Sequence, residues 1–310
     1  MDGHRHNHPH AHGGAGVGLW LKVALGLTVL FVVVEALAGY FANSLALLAD
    51  AGHNLSDALA IGLSLWAFGL ASQPASARRT YGMHRAGILA ALGNGLFLVL
   101  IALGIFVEAF IRIQRPGEVQ PDVIVVVAAA AVVVNLVIAV GLHGAAEHDL
   151  NVRSSYIHVA GDAASAAGVV LAGLLIALTG ANWLDPLISV VIAVLILGTS
   201  VGIVREAVDI LLEATPPDVD ALAVLQAMAA VPGVIGVHDL HLWSVSSSVR
   251  AASAHVLVED QLVSQACQIM TNLDQVLASR FQISHASLQM ETTACHRDDI
   301  FCRLGEDESA

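Results

Sequence analysis

Residues 44–70 read SLALLADAGHNLSDALAIGLSLWAFGL. Most of this stretch is Leu, Ala, Ile, Gly and Trp, and it is long enough to cross a hydrocarbon core of about 30 Å as a helix. Yet Asp50, His53, Asn54 and Asp57 interrupt it. A carboxylate at the centre of a membrane helix costs roughly 2.5–3.5 kcal/mol on the insertion scale, so this polarity needs a cause. His53 and Asp57 are four residues apart, which places them on one face of a helix.

The rest of the chain supports a membrane setting. Of 310 residues, 56% are hydrophobic and 13% charged, with a mean hydropathy of +0.75. A soluble chain carries about 25% charged residues. Six apolar segments can be counted, at roughly 18–40, 44–70, 86–111, 123–142, 154–178 and 186–204. An even count puts both ends of the chain on one side. Arg5, Lys22, Arg78, Arg79, Arg85, Arg153 and Arg205 fall on that side, and only Arg112 and Arg115 fall opposite. The positive-inside rule then predicts cytoplasmic termini. The three cysteines are too few for a disulfide framework.

The fifth segment repeats the device of the second. In YIHVAGDAAS, residues 156–165, His158 and Asp162 are again four apart. If the two helices face each other, the pairs supply two imidazoles and two carboxylates. A four-coordinate site of that kind suits Zn2+, whereas Mg2+ and Ca2+ prefer all-oxygen shells. Ionisable groups inside a membrane point to function by default. Each pair alone also reads as an interhelical hydrogen bond; the repeat of the spacing argues for the metal. An intramembrane hydrolase is disfavoured, because the sequence has no H-E-x-x-H and no general base beyond the ligands.

Beyond EATPPDVD, residues 213–220, the composition changes. A helix is predicted over 218–230, strands over 233–246 and 249–259 joined by a turn near Ser246–Ser248, a helix over 261–280 and a strand over 283–291. This α-β-β-α-β order predicts a small two-layer α+β domain. Residues 213–310 hold 13 acidic residues against four arginines, which argues against nucleic acid and against anionic lipid. Acidity also suits a domain that meets cations, or one that simply stays soluble. The chain thus divides into a His-rich tail at 1–17, a helical membrane domain at 18–212, an α+β domain at 213–293 and an acidic tail at 294–310. In the first tail, His4, His6, His8, His10 and His12 alternate, a pattern suited to loose metal collection.

SLALLADAGHNLSDALA, RRTYGMHRAGILAALGNGL, SSYIHVAGDAASAAGV and NWLDPLISVVIAVLI resemble the cation diffusion facilitator family in its zinc-transporting branch. VHDLHLWSV and HASLQME resemble that family's cytoplasmic domain, and the likeness spans about residues 18–292. The resemblance implies a homodimer of six-helix protomers that exports divalent metal in exchange for protons, with a metallochaperone-like cytoplasmic domain. It implies His53, Asp57, His158 and Asp162 as transport ligands, with Zn2+ preferred and Cd2+ or Co2+ possible. It also implies that His238, His255, His285 and Glu291 match positions that hold regulatory metal, in sites to which a partner chain or the amino tail can contribute; the plainer reading of these histidines is as surface or core residues. On a regular strand His238 and His241 face opposite ways, so they are not expected to share an ion.

Other features stay open at this level. Glu35 reads as a proton-pathway carboxylate or a hydrogen-bond partner, and Asp50 and Asn54 as cavity lining or interhelical bonding. The resemblance offers His84 as a further metal ligand, since relatives place one in this loop, and Cys295 and Cys302 are spaced more widely than the terminal Cys pair of some zinc-transporting relatives, which weakens that parallel. His143 and His148 read as ordinary loop residues. Gly87 stands where the family often has Glu, which removes a charge partner there. Short loops and no legible targeting segment favour a bacterial inner membrane. The rival reading is a membrane-anchored metal sensor or buffer that transports nothing.

Overall fold

The computed structural model describes residues 14–146 and 150–293, in two compact units. The first comprises residues up to 62 together with 94–201; the second comprises 63–93 and 202 onward. The helices are α1 (Gly14–Phe41), α2 (Leu45–Ala71), α3 (Ala86–Gln114), α4 (Pro121–Ala146), α5 (Leu150–Thr179) and α6 (Leu184–Leu211). Among the described residues, α2, α3, α6 and the stretches Pro121–His143 and Ser155–Thr179 are long and apolar enough to cross a membrane. In α1 the stretch Thr28–Phe41 is a shorter apolar helix.

In the first unit small side chains let the helices approach. Ala46, Ala49, Ala102, Ala109, Ala128 and Ala193 are buried together with Leu47, Leu98, Ile124 and Val169. This is how helices pack in lipid, where no solvent-driven force separates apolar inside from apolar outside. A Cβ on Gly173 of α5 would lie 2.9 Å from Val125 and 3.0 Å from Ile124 of α4, so the α4–α5 approach depends on glycine. Larger apolar side chains such as Leu100, Val107, Phe110 and Val140 point outward.

The start of α2 is held by a buried carboxylate from α6. Ser44 precedes the helix, and its hydroxyl accepts from the Leu47 N–H at 3.2 Å. Asp185 accepts from the Ser44 hydroxyl at 2.5 Å, from the Leu45 N–H at 2.7 Å and from the Ala46 N–H at 3.3 Å. These amides have no partner within the helix, and an anion at that end also complements the helix dipole.

The second unit contains α7 (Ala221–Ala229), β1 (Val234–Ser244), β2 (Arg250–Val258), α8 (Val263–Phe281) and β3 (Ile283–Glu291). The predicted order holds, with α7 starting at 221 because Asp220 caps it, its side chain accepting from the Leu222 N–H at 2.9 Å. The sheet order is β1-β2-β3, with β1 and β2 antiparallel and β2 and β3 parallel. A parallel pair needs a crossover, and α8 supplies it. Val224 and Met228 of α7 and Leu273 and Leu277 of α8 pack with Leu240, Leu242, Val256 and Ile283 of the sheet. Strand β1 departs from the expected regular strand. Its pairing slips between His238 and His241, and Asp239 takes φ of +52°.

Replacing Asp185 by alanine is expected to strip three donors of their acceptor and to cost about 1–3 kcal/mol. The expected readout is a lower melting temperature of the detergent-solubilised protein, with an unchanged melt counting against a capping role.

Candidate metal centres

Helical spacing brings the four membrane residues into a closed ring. His53 and Asp57 project from α2, and His158 and Asp162 from α5. His53 Nε2 lies 3.1 Å from Asp162 Oδ1 and 3.7 Å from Asp57 Oδ2. His158 Nε2 lies 3.3 Å from Asp57 Oδ2 and 3.7 Å from Asp162 Oδ2. Tetrahedral zinc with ligands at 2.0–2.2 Å sets neighbouring donors about 3.4 Å apart. The donor atoms of His53, Asp57 and Asp162 all lie within 4.8 Å of one another. His158 occupies the rim: its side chain is 51% exposed, against 17% for His53 and 14% for Asp162. The arrangement offers a cation three donors already gathered and a fourth beside them.

The neighbouring polar groups of α2 bond between helices. Asn54 donates to Glu35 Oε2 of α1 at 3.0 Å, and Ser56 donates to Asn94 of α3 at 3.2 Å. Glu35 and Asp50 are both buried. Thus Asn54 is an interhelical partner, the second of the two readings its sequence left open.

The second cluster lies on the three-stranded sheet. His238 of β1 pairs in register with His255 of β2, and their ring centroids are 5.2 Å apart. His238 Nε2 lies 3.3 Å from Glu291 Oε2, and His255 Nδ1 lies 2.9 Å from Glu291 Oε1. All three donor atoms fall within 4.8 Å. Although these atoms are close, His238 Nε2, His255 Nδ1 and Glu291 Oε2 are buried and make no hydrogen bond of acceptable geometry. Buried polar atoms are almost always partnered, so three such atoms converging on one point fit a cation.

Profiles of known families match both parts of the chain. The one described as the cation efflux transmembrane domain covers residues 21–212, and that of the cation efflux protein cytoplasmic domain covers 216–293. The chain belongs to the cation efflux family. It is 37% identical over 277 residues to a Bacillus subtilis protein named "Cadmium, cobalt and zinc/H(+)-K(+) antiporter", covering 88% of this chain and 89% of the relative. It is 34% identical over 293 residues to the Escherichia coli protein "Zinc transporter ZitB", covering 92% and 90%. A solved structure, the metal-bound C-terminal domain of the CzcD transporter from Cuprividus metallidurans, aligns at 36% identity over 24% of this chain and 99% of its own, with a TM-score of 0.22. The apolar helices and the transmembrane match make this cation efflux protein an integral membrane protein.

One member of the cytoplasmic set anticipated from the sequence does not join the others. His285 pairs in register with Ala251, and Glu291 with Leu257. Six steps along the strand separate them, about 20 Å at 3.3 Å per residue, so both cannot reach one ion within a protomer. The His285 ring instead packs edge-on against Tyr81 at 5.7 Å. His84 lines a cavity of about 890 Å³ together with Arg78, Arg79 and Arg85. That cationic company repels another cation. Arg85, lacking a glutamate at position 87, pairs with Glu213 at 2.8 Å. His143 contacts the Tyr156 ring at 5.5 Å. The amino-terminal histidines, His148, Cys295 and Cys302 lie outside the described residues.

Two polar residues here escaped the sequence reading, Asp185 and Asn94. Asp185 lies in NWLDPLISVVIAVLI and Asn94 in RRTYGMHRAGILAALGNGL, two stretches that carry the family resemblance, but neither residue was given a role there.

On the reading that His238, His255 and Glu291 hold a cation, Glu291→Ala in this cation efflux protein is expected to weaken zinc binding by the domain at 216–293 at least tenfold, and His285→Ala to leave it within twofold. Competition titration against a chelating dye checks both. Equal losses would return His285 to the ligand set.

Proposed function

We propose that this protein exports Zn2+ from the cytoplasm in exchange for protons, with Cd2+ and Co2+ as further substrates. The transported ion is held by His53, Asp57, His158 and Asp162. The observation that carries the reading is the ring those four side chains form between α2 and α5, with donor separations of 3.1–3.7 Å. The names of the relatives, which include zinc, cadmium, cobalt and H(+), support the metals and the counter-ion.

The chemistry of exchange follows from the donor types. An imidazole or carboxylate binds metal only when unprotonated, so metal and protons compete for one site. Histidine titrates near neutrality, within the range of physiological proton gradients. Facing a neutral cytoplasm, the ring takes Zn2+; facing a more acidic exterior, protonated imidazoles release it. One rigid-body rocking motion between these states gives antiport. His158, at the rim, is the ligand placed to leave first.

Around this site we read six membrane spans at 18–212, with α1 as the first, both termini in the cytoplasm and a bacterial inner membrane as the setting. The working unit is a homodimer. The domain at 213–293 faces the cytoplasm, and His238, His255 and Glu291 hold a resident metal ion that regulates transport. Such an ion would tie together all three strands of the sheet.

Two measurements test this. Zinc entry into proteoliposomes should follow an imposed pH gradient at matched K+, and Asp162→Ala should lower the rate at least a hundredfold while the protein stays monodisperse. Zinc that binds but never crosses would leave a membrane-anchored sensor or buffer. Separately, His53→Asp should change the ranking of Zn2+, Cd2+ and Co2+ in the same assay, because it replaces a borderline nitrogen donor by a hard oxygen. An unchanged ranking would remove His53 from selectivity.

A further inference from the structure

The irregularity in β1 has a specific geometry. His238 pairs with His255 and His241 with Ser253, so three steps along β1 oppose two along β2. The extra residue makes a β-bulge, and Asp239 within it adopts φ of +52°. A left-handed conformation is unfavourable for a residue with a Cβ, though Asp and Asn tolerate it better than most. Bulges re-aim side chains, and backbone strain of this kind collects at functional sites.

Here the re-aimed group is the Asp239 carboxylate, which sits between two imidazoles. Its Oδ1 lies 3.1 Å from His241 Nε2, and its Oδ2 lies 3.7 Å from His255 Nε2. The other nitrogen of His255, Nδ1, faces Glu291 at 2.9 Å. The His255 ring therefore stands between two carboxylates, one on each nitrogen. A neutral imidazole has one N–H and one lone pair. For Nδ1 to offer its lone pair to a cation shared with His238 and Glu291, the proton must reside on Nε2. That nitrogen faces Asp239. At 3.7 Å the carboxylate acts by charge rather than through a formed hydrogen bond, and a negative charge there favours the protonated nitrogen. His241 braces the carboxylate from the far side.

We propose that Asp239 is a positioning residue that holds His255 in the tautomer and orientation required of a ligand to the cation bound with His238 and Glu291. The proposal rests on the reading of those three residues as a metal site. It accounts for the bulge, for the positive φ and for the placement of a carboxylate against the outer nitrogen of His255. Such outer partners are worth 10–100-fold in metal affinity.

The test uses the full chain in detergent carrying Asp162→Ala, so that the membrane ring does not compete. Zinc affinity is measured by competition with a chelating dye, and the melting temperature is measured without metal. Asn and Gly both accept a positive φ, so Asp239→Asn and Asp239→Gly preserve the bulge while removing the charge. Both are expected to lower the affinity of the Glu291-dependent site about 10–100-fold, with the number of zinc ions bound unchanged and the metal-free melt of Asp239→Asn unchanged. Affinity within twofold of the parent would make Asp239 a backbone feature only. Loss of one bound zinc rather than of affinity would make it a ligand. A parallel Glu291→Ala variant separates the two levels: if that variant binds zinc as tightly as the parent, the metal site itself is wrong, and the positioning role falls with it.

Discussion

Two imidazoles and two carboxylates within a membrane helix pair cannot stand alone. Each ionisable group in that setting needs a partner, and the ring formed by His53, Asp57, His158 and Asp162 gives every member two of them. Much of the first unit serves this arrangement. The two H-x-x-x-D pairs must face each other, which requires α2 and α5 to keep a fixed rotation about their own axes. Small residues at the helix contacts, the Asn54–Glu35 and Ser56–Asn94 bonds, and the clamp on the start of α2 all restrict that rotation.

That clamp uses the helix in an economical way. Asp185 is a buried carboxylate whose hydrogen-bond partners are a hydroxyl and two backbone amides, with the Arg112 charge acting on it through space. The amides are the ones a helix start leaves over, so one residue answers both the unpaired backbone of α2 and its own charge.

The sequence showed more of the membrane ring than of the cytoplasmic cluster, and the difference is one of geometry. A helix fixes which residues share a face, so four-residue spacing in two apolar segments paired His53 with Asp57 and His158 with Asp162, and the family resemblance joined the two pairs. A strand fixes only alternation, and the register between strands is set by turns and bulges that sequence shows poorly. His238, His255 and Glu291 come together through pairing across two different ladders, one antiparallel and one parallel. The same registers carry His285 away, although it lies near Glu291 in the chain. The burial of His238, Leu240 and Leu242 on one side of β1 follows the alternation read from the sequence. The bulge at Asp239 does not, because nothing in HDLHLW announces a left-handed aspartate. The element order α-β-β-α-β was legible since each segment carries its own period and its own punctuation. The first helix was legible as an apolar run, and α1 covers it from Gly14 to Phe41.

Strand β3 lies at one edge of its sheet and β1 at the other, with β2 between them. Glu291 is the last residue of β3, so the carboxylate that faces both histidines sits where an edge strand would ordinarily fray. A ligand that binds only the ordered state adds stability in proportion to the logarithm of its concentration. A cation at that end would therefore act as a clasp whose grip is set by the free metal level of the surrounding fluid. The order of the end of β3 then becomes a readout of metal supply, graded rather than all-or-none, and located at the end of an edge strand.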